Sequence, residues 1–256
     1  MLAMDHPRFR AITKLIDNRE LREAILQLDT LLDRLSPENR PAALYWKIVC
    51  LLQLGEVKQA KRYIEKLLSE EDVPHSLRIC LELQNAYVQV GEQGPELGGA
   101  PIRSVLDRYA KQFSTPDFFW QHIDAQRHLG VCLARAKRYS EAITELELAL
   151  SRETRPGAQY RIHLWVSDAY YRSGDLNKAK DHLERALTAG ESAPKAQLPA
   201  DYPALIRFQL AWLAYQQHRL TDAENELKLA SAAARNPETQ KSITKLRTLL
   251  DQASSI

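Results

Sequence analysis

The stretch YYRSGDLNKAKDHLERAL, residues 170–187, sets apolar side chains at helical spacing on both sides of a Gly-Asp pair. Upstream, Leu164, Ser167 and Tyr170 recur every three residues, and Ile162 and Val166 fill the neighbouring stripe. Downstream, Leu176, Ala179, Leu183, Ala186 and Leu187 mark a second apolar face. Apolar residues three and four apart share one face of a helix, so the stretch predicts two amphipathic helices joined by a tight turn. Gly174 supplies the conformational freedom that a helix end wants, and Asp175 suits the start of the next helix. Ser167 on the first helix and Ala179 on the second are small enough to let the backbones approach closely. One hairpin of this kind cannot bury both its faces, so it calls for neighbours of its own type.

Those neighbours are in the chain. RHLGVCLARAKRYSEAITELELAL places Leu129, Gly130, Leu133, Tyr139, Ala142, Leu146, Ala149 and Leu150 in the same order. Three further stretches follow it, around Leu210 to Ala230, Ile48 to Leu67 and Leu15 to Leu31. The second-helix alanine sits at Ala24, Ala60, Ala142, Ala179 and Ala223, with gaps of 36, 82, 37 and 44 residues. The long gap has room for a sixth unit, SLRICLELQNAYVQVG closing at Gly91, with a return helix near IRSVLDRYAKQF. Pro37, Pro74, Pro116, Pro156, Pro194 and Pro237 follow the return helices, where proline stops one helix and starts the next.

This pattern resembles the tetratricopeptide repeat family, whose unit is a helix-turn-helix of about 34 residues with small residues at the packing contacts. Residues 160–194 carry the resemblance best, through Tyr170, Gly174, Asp175, Ala179, Leu183 and Ala186. The expectation is an all-α protein, a right-handed α-solenoid of about six helical hairpins in a single domain over residues 1–256. Its units fall at about 5–38, 41–74, 75–116, 123–156, 160–194 and 204–237, and an amphipathic segment at 238–252 caps the open end. The unit at 75–116 is degenerate and interrupted by a glycine-rich insertion, VGEQGPELGGAP at 90–101, expected to be a mobile surface loop. AGESAPKAQLPADYP reads as an ordered but irregular linker.

Composition excludes several classes of function. With 45% hydrophobic and 27% charged residues the chain is ordinary for a folded protein. A formal charge of +2 and a pI near 8.4, without a long run of like charge, give no polyanion-binding signature. No stretch approaches the 18 or so apolar residues of a membrane span, and Asp5 and Arg8 interrupt any signal peptide, so a cytoplasmic location is expected. Cys50, Cys80 and Cys132 lie inside apolar helical patterns and read as buried thiols. The histidines are scattered without zinc-site spacing, and neither a GxSxG elbow nor a glycine-rich phosphate or dinucleotide loop occurs. No catalytic, cofactor-binding or metal-binding residue is therefore assigned, no cofactor is expected, and the chain reads as a non-enzyme.

In this family the first helix of each unit lines a concave groove. Placing the units on the pattern assigns Tyr45 and Trp46, then Arg127 and Arg135, to that face. Arg161, Trp165, Tyr171 and Arg172 follow, then Phe208, Trp212 and Tyr215. The third unit contributes Arg78, Glu82, Asn85 and Gln89. Aromatics give contact area at low entropy cost, and arginine stacks on them or grips a carboxylate. The expected partner is a protein or peptide segment with apolar and acidic side chains. A sensor binding a small signalling peptide or ligand, and an RNA-binding repeat protein, stand as alternatives. Family members that hold chaperone C-termini use clamped lysines and asparagines, of which only Asn85 has a counterpart here. Self-association is a further possibility, through an exposed apolar face of Ile243, Leu246 and Leu250 on the terminal helix.

Overall fold

The computed structural model describes residues 7–94 and 97–253. Among these residues every regular element is helical. In chain order the α-helices are α1 (Pro7–Asp17), α2 (Leu21–Leu32), α3 (Arg40–Gln53), α4 (Val57–Ser69) and α5 (His75–Gln93). Then come α6 (Ala100–Arg108), α7 (Ala110–Phe113), α8 (Phe119–Arg135), α9 (Tyr139–Arg152) and α10 (Pro156–Ser173). The last four are α11 (Leu176–Ser192), α12 (Tyr202–Gln216), α13 (Leu220–Ala233) and α14 (Pro237–Ala253). The chain divides into two compact units, residues 1–136 and 137–256.

The repeating alanines hold the hairpins together. Ala24, Ala60, Ala142, Ala179 and Ala223 have no exposed surface at all. In the first unit α1 and α2 enclose Phe9, Ile12, Ile16, Leu21 and Leu28, and α3 closes this core with Ala43 and Cys50. In the second unit, Ser167 on α10 donates its hydroxyl to the Ala179 carbonyl on α11 at 2.8 Å, a bond possible only because both residues are small.

The turns share one backbone device. After α1, α3, α10 and α12 the chain closes with paired hydrogen bonds back to the last helical turn, such as Asp175 N–H to Tyr170 O and Gly174 N–H to Tyr171 O. Each needs one residue in the left-handed region. Gly55 and Gly174 supply it at φ 79° and 93°, but Arg19 and His218 occupy it at φ 65° and 57°. Lys137 does the same at φ 61° in the α8–α9 turn. Glycine therefore reveals only some of the hairpins in the sequence. Asp175 accepts the Lys178 N–H at 3.0 Å and caps α11 as expected.

The irregular segments are more tightly built than their composition suggests. α5 runs past Gly91 to Gln93, and Pro95 and Glu96 lie outside the described residues. Beyond them Gly98 and Gly99 are buried, where the sequence predicted surface. A Cβ on Gly99 would stand 2.7 Å from Leu129 Cδ1 and 3.1 Å from Cys132 Cβ, so these glycines let the segment descend onto α8. The return helix that follows is broken at Tyr109 into α6 and the single turn α7. In the linker, Gly190 lies under the Tyr202 ring and Gly157 against the Gln197 side chain. The buried Asp201 carboxylate accepts the Arg235 N–H at 3.1 Å and the Asn236 N–H at 2.6 Å, fixing the turn before α14.

The expected apolar face of α14 is not exposed. Ile243, Leu246 and Leu250 are all but inaccessible, packed with Ala211, Ala214, Leu227 and Ala230 of α12 and α13. An amphipathic helix beside an open array end satisfies its apolar stripe on its own chain first. Self-association through these three residues is thereby removed.

Candidate partner-binding faces

The first unit presents a cluster on the first helices α3, α5 and α8. Tyr45 is buried beside Gln84 and Cys80, and burial pushes its ionisation far above the ordinary range. It belongs to the core and offers no surface to a partner, contrary to the sequence reading. Trp46 sits edge-on to Tyr45, ring centroids 5.8 Å apart, and is half-buried against the α1–α2 core. Tyr87 stacks on His128 at 4.2 Å, and its hydroxyl is shielded without a hydrogen-bond partner among the described residues. His128 Nδ1 lies 2.8 Å from the Asp124 carbonyl. A carbonyl only accepts, so Nδ1 carries the proton and Nε2 is bare. Burial, then the Arg127 and Arg135 charges, lower the His128 pKa to about 3 and keep the ring neutral. Arg127 is half-buried, 3.6 Å from Asp124, and Arg135 is exposed.

The predicted third-unit residues point elsewhere. Arg78, Glu82, Asn85 and Gln89 line a cleft of about 360 Å³ against Ser104 and Arg108 of the return helix α6. Arg78 ties the end of α4 through the Leu68 and Glu70 carbonyls at 2.8 and 2.7 Å, and Glu82 accepts from Arg108 and Tyr109. The residues of α5 that meet α3 and α8 are Cys80, Gln84 and Tyr87. The signal that finds them is the small residue of the first helix. Positions six and two before it and one after it are Asp124, His128 and Val131 around Gly130, and Arg161, Trp165 and Asp168 around Ser167. Counting the same way from the buried Ala86 gives Cys80, Gln84 and Tyr87. It also gives Asp124, which the sequence reading left out.

The second unit brings most of the predicted aromatics together. The Trp212 indole N–H on α12 donates to the Tyr171 hydroxyl on α10 at 3.1 Å, linking the first helices of successive hairpins. Trp212 and Tyr215 lie 5.9 Å apart, and both pack with Phe208 against the core shared with α14 while remaining part-exposed. Arg161 and Trp165 are half-buried on α10. Arg172 Nε donates to both oxygens of Asp168, at 3.0 and 2.9 Å, and this pair raises the arginine's already high pKa. Tyr170, one residue from Tyr171, faces inward. Burial and its bond to Glu147 push its pKa up to about 12. Among the described residues no three His, Cys, Asp or Glu side chains gather as metal ligands, and no helix is long and apolar enough to cross a membrane.

Tetratricopeptide repeat models match residues 9–72 and 105–158, and a second model of the same description matches 160–189, together more than half of the chain. This chain belongs to the tetratricopeptide repeat family. Solved structures agree on the fold. The hetero-tetramer Cut9-Hcn1 of the APC/C contains a chain that superposes with a TM-score of 0.66 at 14% identity, over 91% of this chain. This chain spans only 41% of that one. BtubC (BKLC) from P. vanneervenii gives 0.60 at 13% identity, over 91% of this chain and 95% of its own. PilF of Pseudomonas aeruginosa gives 0.58 at 19% identity, over 84% and 87%. No curated protein sequence matches this chain. Tetratricopeptide repeats are in general non-catalytic protein-interaction scaffolds.

Proposed function

We propose that this tetratricopeptide protein is a non-catalytic scaffold that holds a partner protein segment, with apolar and acidic side chains, on its first-helix faces. The observation that carries this reading is the Trp212–Tyr171 hydrogen bond. It fixes an aromatic platform across α10 and α12 and spends polar groups that would otherwise seek water, while the rings keep part of their surface exposed. Rigid aromatic anchors of this kind supply most of the energy in peptide recognition. Beside them Arg172 is exposed and pairs with Asp168 four residues away. An exposed pair at that spacing is worth roughly 0.3–0.5 kcal/mol, so an incoming carboxylate exchanges for Asp168 at little cost. Arg161 and Trp165 extend the same face along α10.

The test is a peptide selected from a displayed random library against the intact protein, then titrated into variants. Trp165→Ala and Arg172→Glu are expected to weaken it at least about tenfold each, with unchanged helical circular dichroism. Library selections that yield no peptide, or peptides indifferent to both variants, would refute the reading. An RNA ligand would instead show affinity falling steeply with salt as counterions are released.

A further inference from the structure

A pair of buried histidines in the second unit is not used by the scaffold reading. His163 on α10 and His182 on α11 face each other with Nδ1 to Nδ1 at 3.0 Å, each less than a tenth exposed. A nitrogen–nitrogen hydrogen bond contains one proton. One ring therefore carries Nδ1–H and a bare Nε2, and the other accepts at Nδ1 and carries Nε2–H. The surroundings are mixed. From α11 itself come Arg185, Lys178 and Asp181, α9 contributes Glu147, and the Tyr170 ring of α10 packs on His182 at 5.6 Å.

We propose that the His163–His182 contact is a proton-operated latch that holds α10 to α11 when both rings are neutral and releases them when both are charged. The chemistry makes it stepwise. A first proton enters at the bare Nε2 of the donor ring and leaves the N–H···N contact intact. A second must enter at the accepting Nδ1, where two N–H groups then point at each other and two buried cations repel. The contact cannot survive that step. Burial holds both rings below the ordinary histidine range, His163 down to about 4, and the neighbouring Arg185 charge acts in the same direction on each. The latch joins the two helices of the hairpin that presents Arg161, Trp165, Tyr171 and Arg172. Release therefore loosens the helix on which these side chains stand. The effect on a bound segment rests on the scaffold reading; the latch itself does not.

The deciding measurement is a nuclear magnetic resonance titration of the intact protein with labelled histidine, from pH 7.5 to about 3, assigned with His163→Asn and His182→Asn. At neutral pH the nitrogen shifts are expected to show one Nδ1–H and one Nε2–H tautomer for this pair, both titrating below the ordinary value in two coupled steps. Two rings of the same tautomer, or independent titration near 6.5, would overturn the proposal from wild-type protein alone. The His163→Asn/His182→Asn double variant replaces the contact by an amide hydrogen bond that takes no proton. Its acid loss of second-unit helicity is expected to move down by about one pH unit. A library-selected peptide is expected to lose about tenfold more affinity between pH 7 and pH 3.5 on wild type than on the double variant. Loss of that difference with the tautomer pair present would count against the scaffold face, not the latch.

Discussion

Gly99 and Gly174 form a natural experiment on what a glycine is for. Both have positive φ, 78° and 93°, so an alanine at either must enter the left-handed region. That costs roughly 1–2 kcal/mol, partly offset by the lower entropy of the unfolded alanine chain, leaving about 1 kcal/mol for Gly174→Ala. At Gly174 nothing lies within 4 Å of the added carbon, so the backbone cost is the whole effect. At Gly99 the same carbon meets Leu129 Cδ1 at 2.7 Å, Cys132 Cβ at 3.1 Å and Leu129 Cα at 3.6 Å. The leucine tip can rotate away, but the Cys132 Cβ and the α8 backbone cannot. Overpacking adds about 1–3 kcal/mol, so Gly99→Ala is expected to cost about 2–4 kcal/mol. Urea unfolding followed by helical circular dichroism reads both, with hydrogen exchange assigning the loss to α6–α8 or to the α10–α11 turn. Equal costs at the two sites would refute the packing argument and mean that the insertion lifts from α8 without penalty.

Three further outcomes follow from the same geometry. Arg19→Gly and His218→Gly should each stabilise the protein by about 0.5–1 kcal/mol, seen as a raised urea midpoint, because each relieves an L-residue held at positive φ. Asp201→Ala should cost about 2–3 kcal/mol by leaving the Arg235 and Asn236 N–H groups without their carboxylate; Asp201→Asn, which keeps an acceptor, should cost less. Acid should destabilise the fold through histidine. His128, His163 and His182 all lie below their unfolded value near 6.5, so the unfolded chain takes up protons first. Their stabilisation is complete above pH 6.5 and is lost as pH falls through about 4 for His163, on the order of 3 kcal/mol, and through about 3 for His128; thermal melts across that window check it.

The local sequence determined the hairpins. Apolar residues at helical spacing, a buried alanine in five of the six return helices and a proline after each return helix are all set within about 34 residues, so they are legible in one pass. They put the turn between α10 and α11 at Gly174 and Asp175, where it lies. Tertiary structure decided what faces what. Tyr45, drawn from its helical position as a surface aromatic, is buried beside Gln84 and Cys80 of a helix more than thirty residues away. Arg78 and Asn85 fell to the return-helix side of α5 because a helix turns 100° per residue, so a small shift in register in a degenerate repeat rotates a whole stripe out of place. His163 and His182 looked like ordinary members of two amphipathic helices. Only folding brought their Nδ1 atoms to 3.0 Å, since nothing in a one-dimensional pattern fixes which side chains meet when two helices pack.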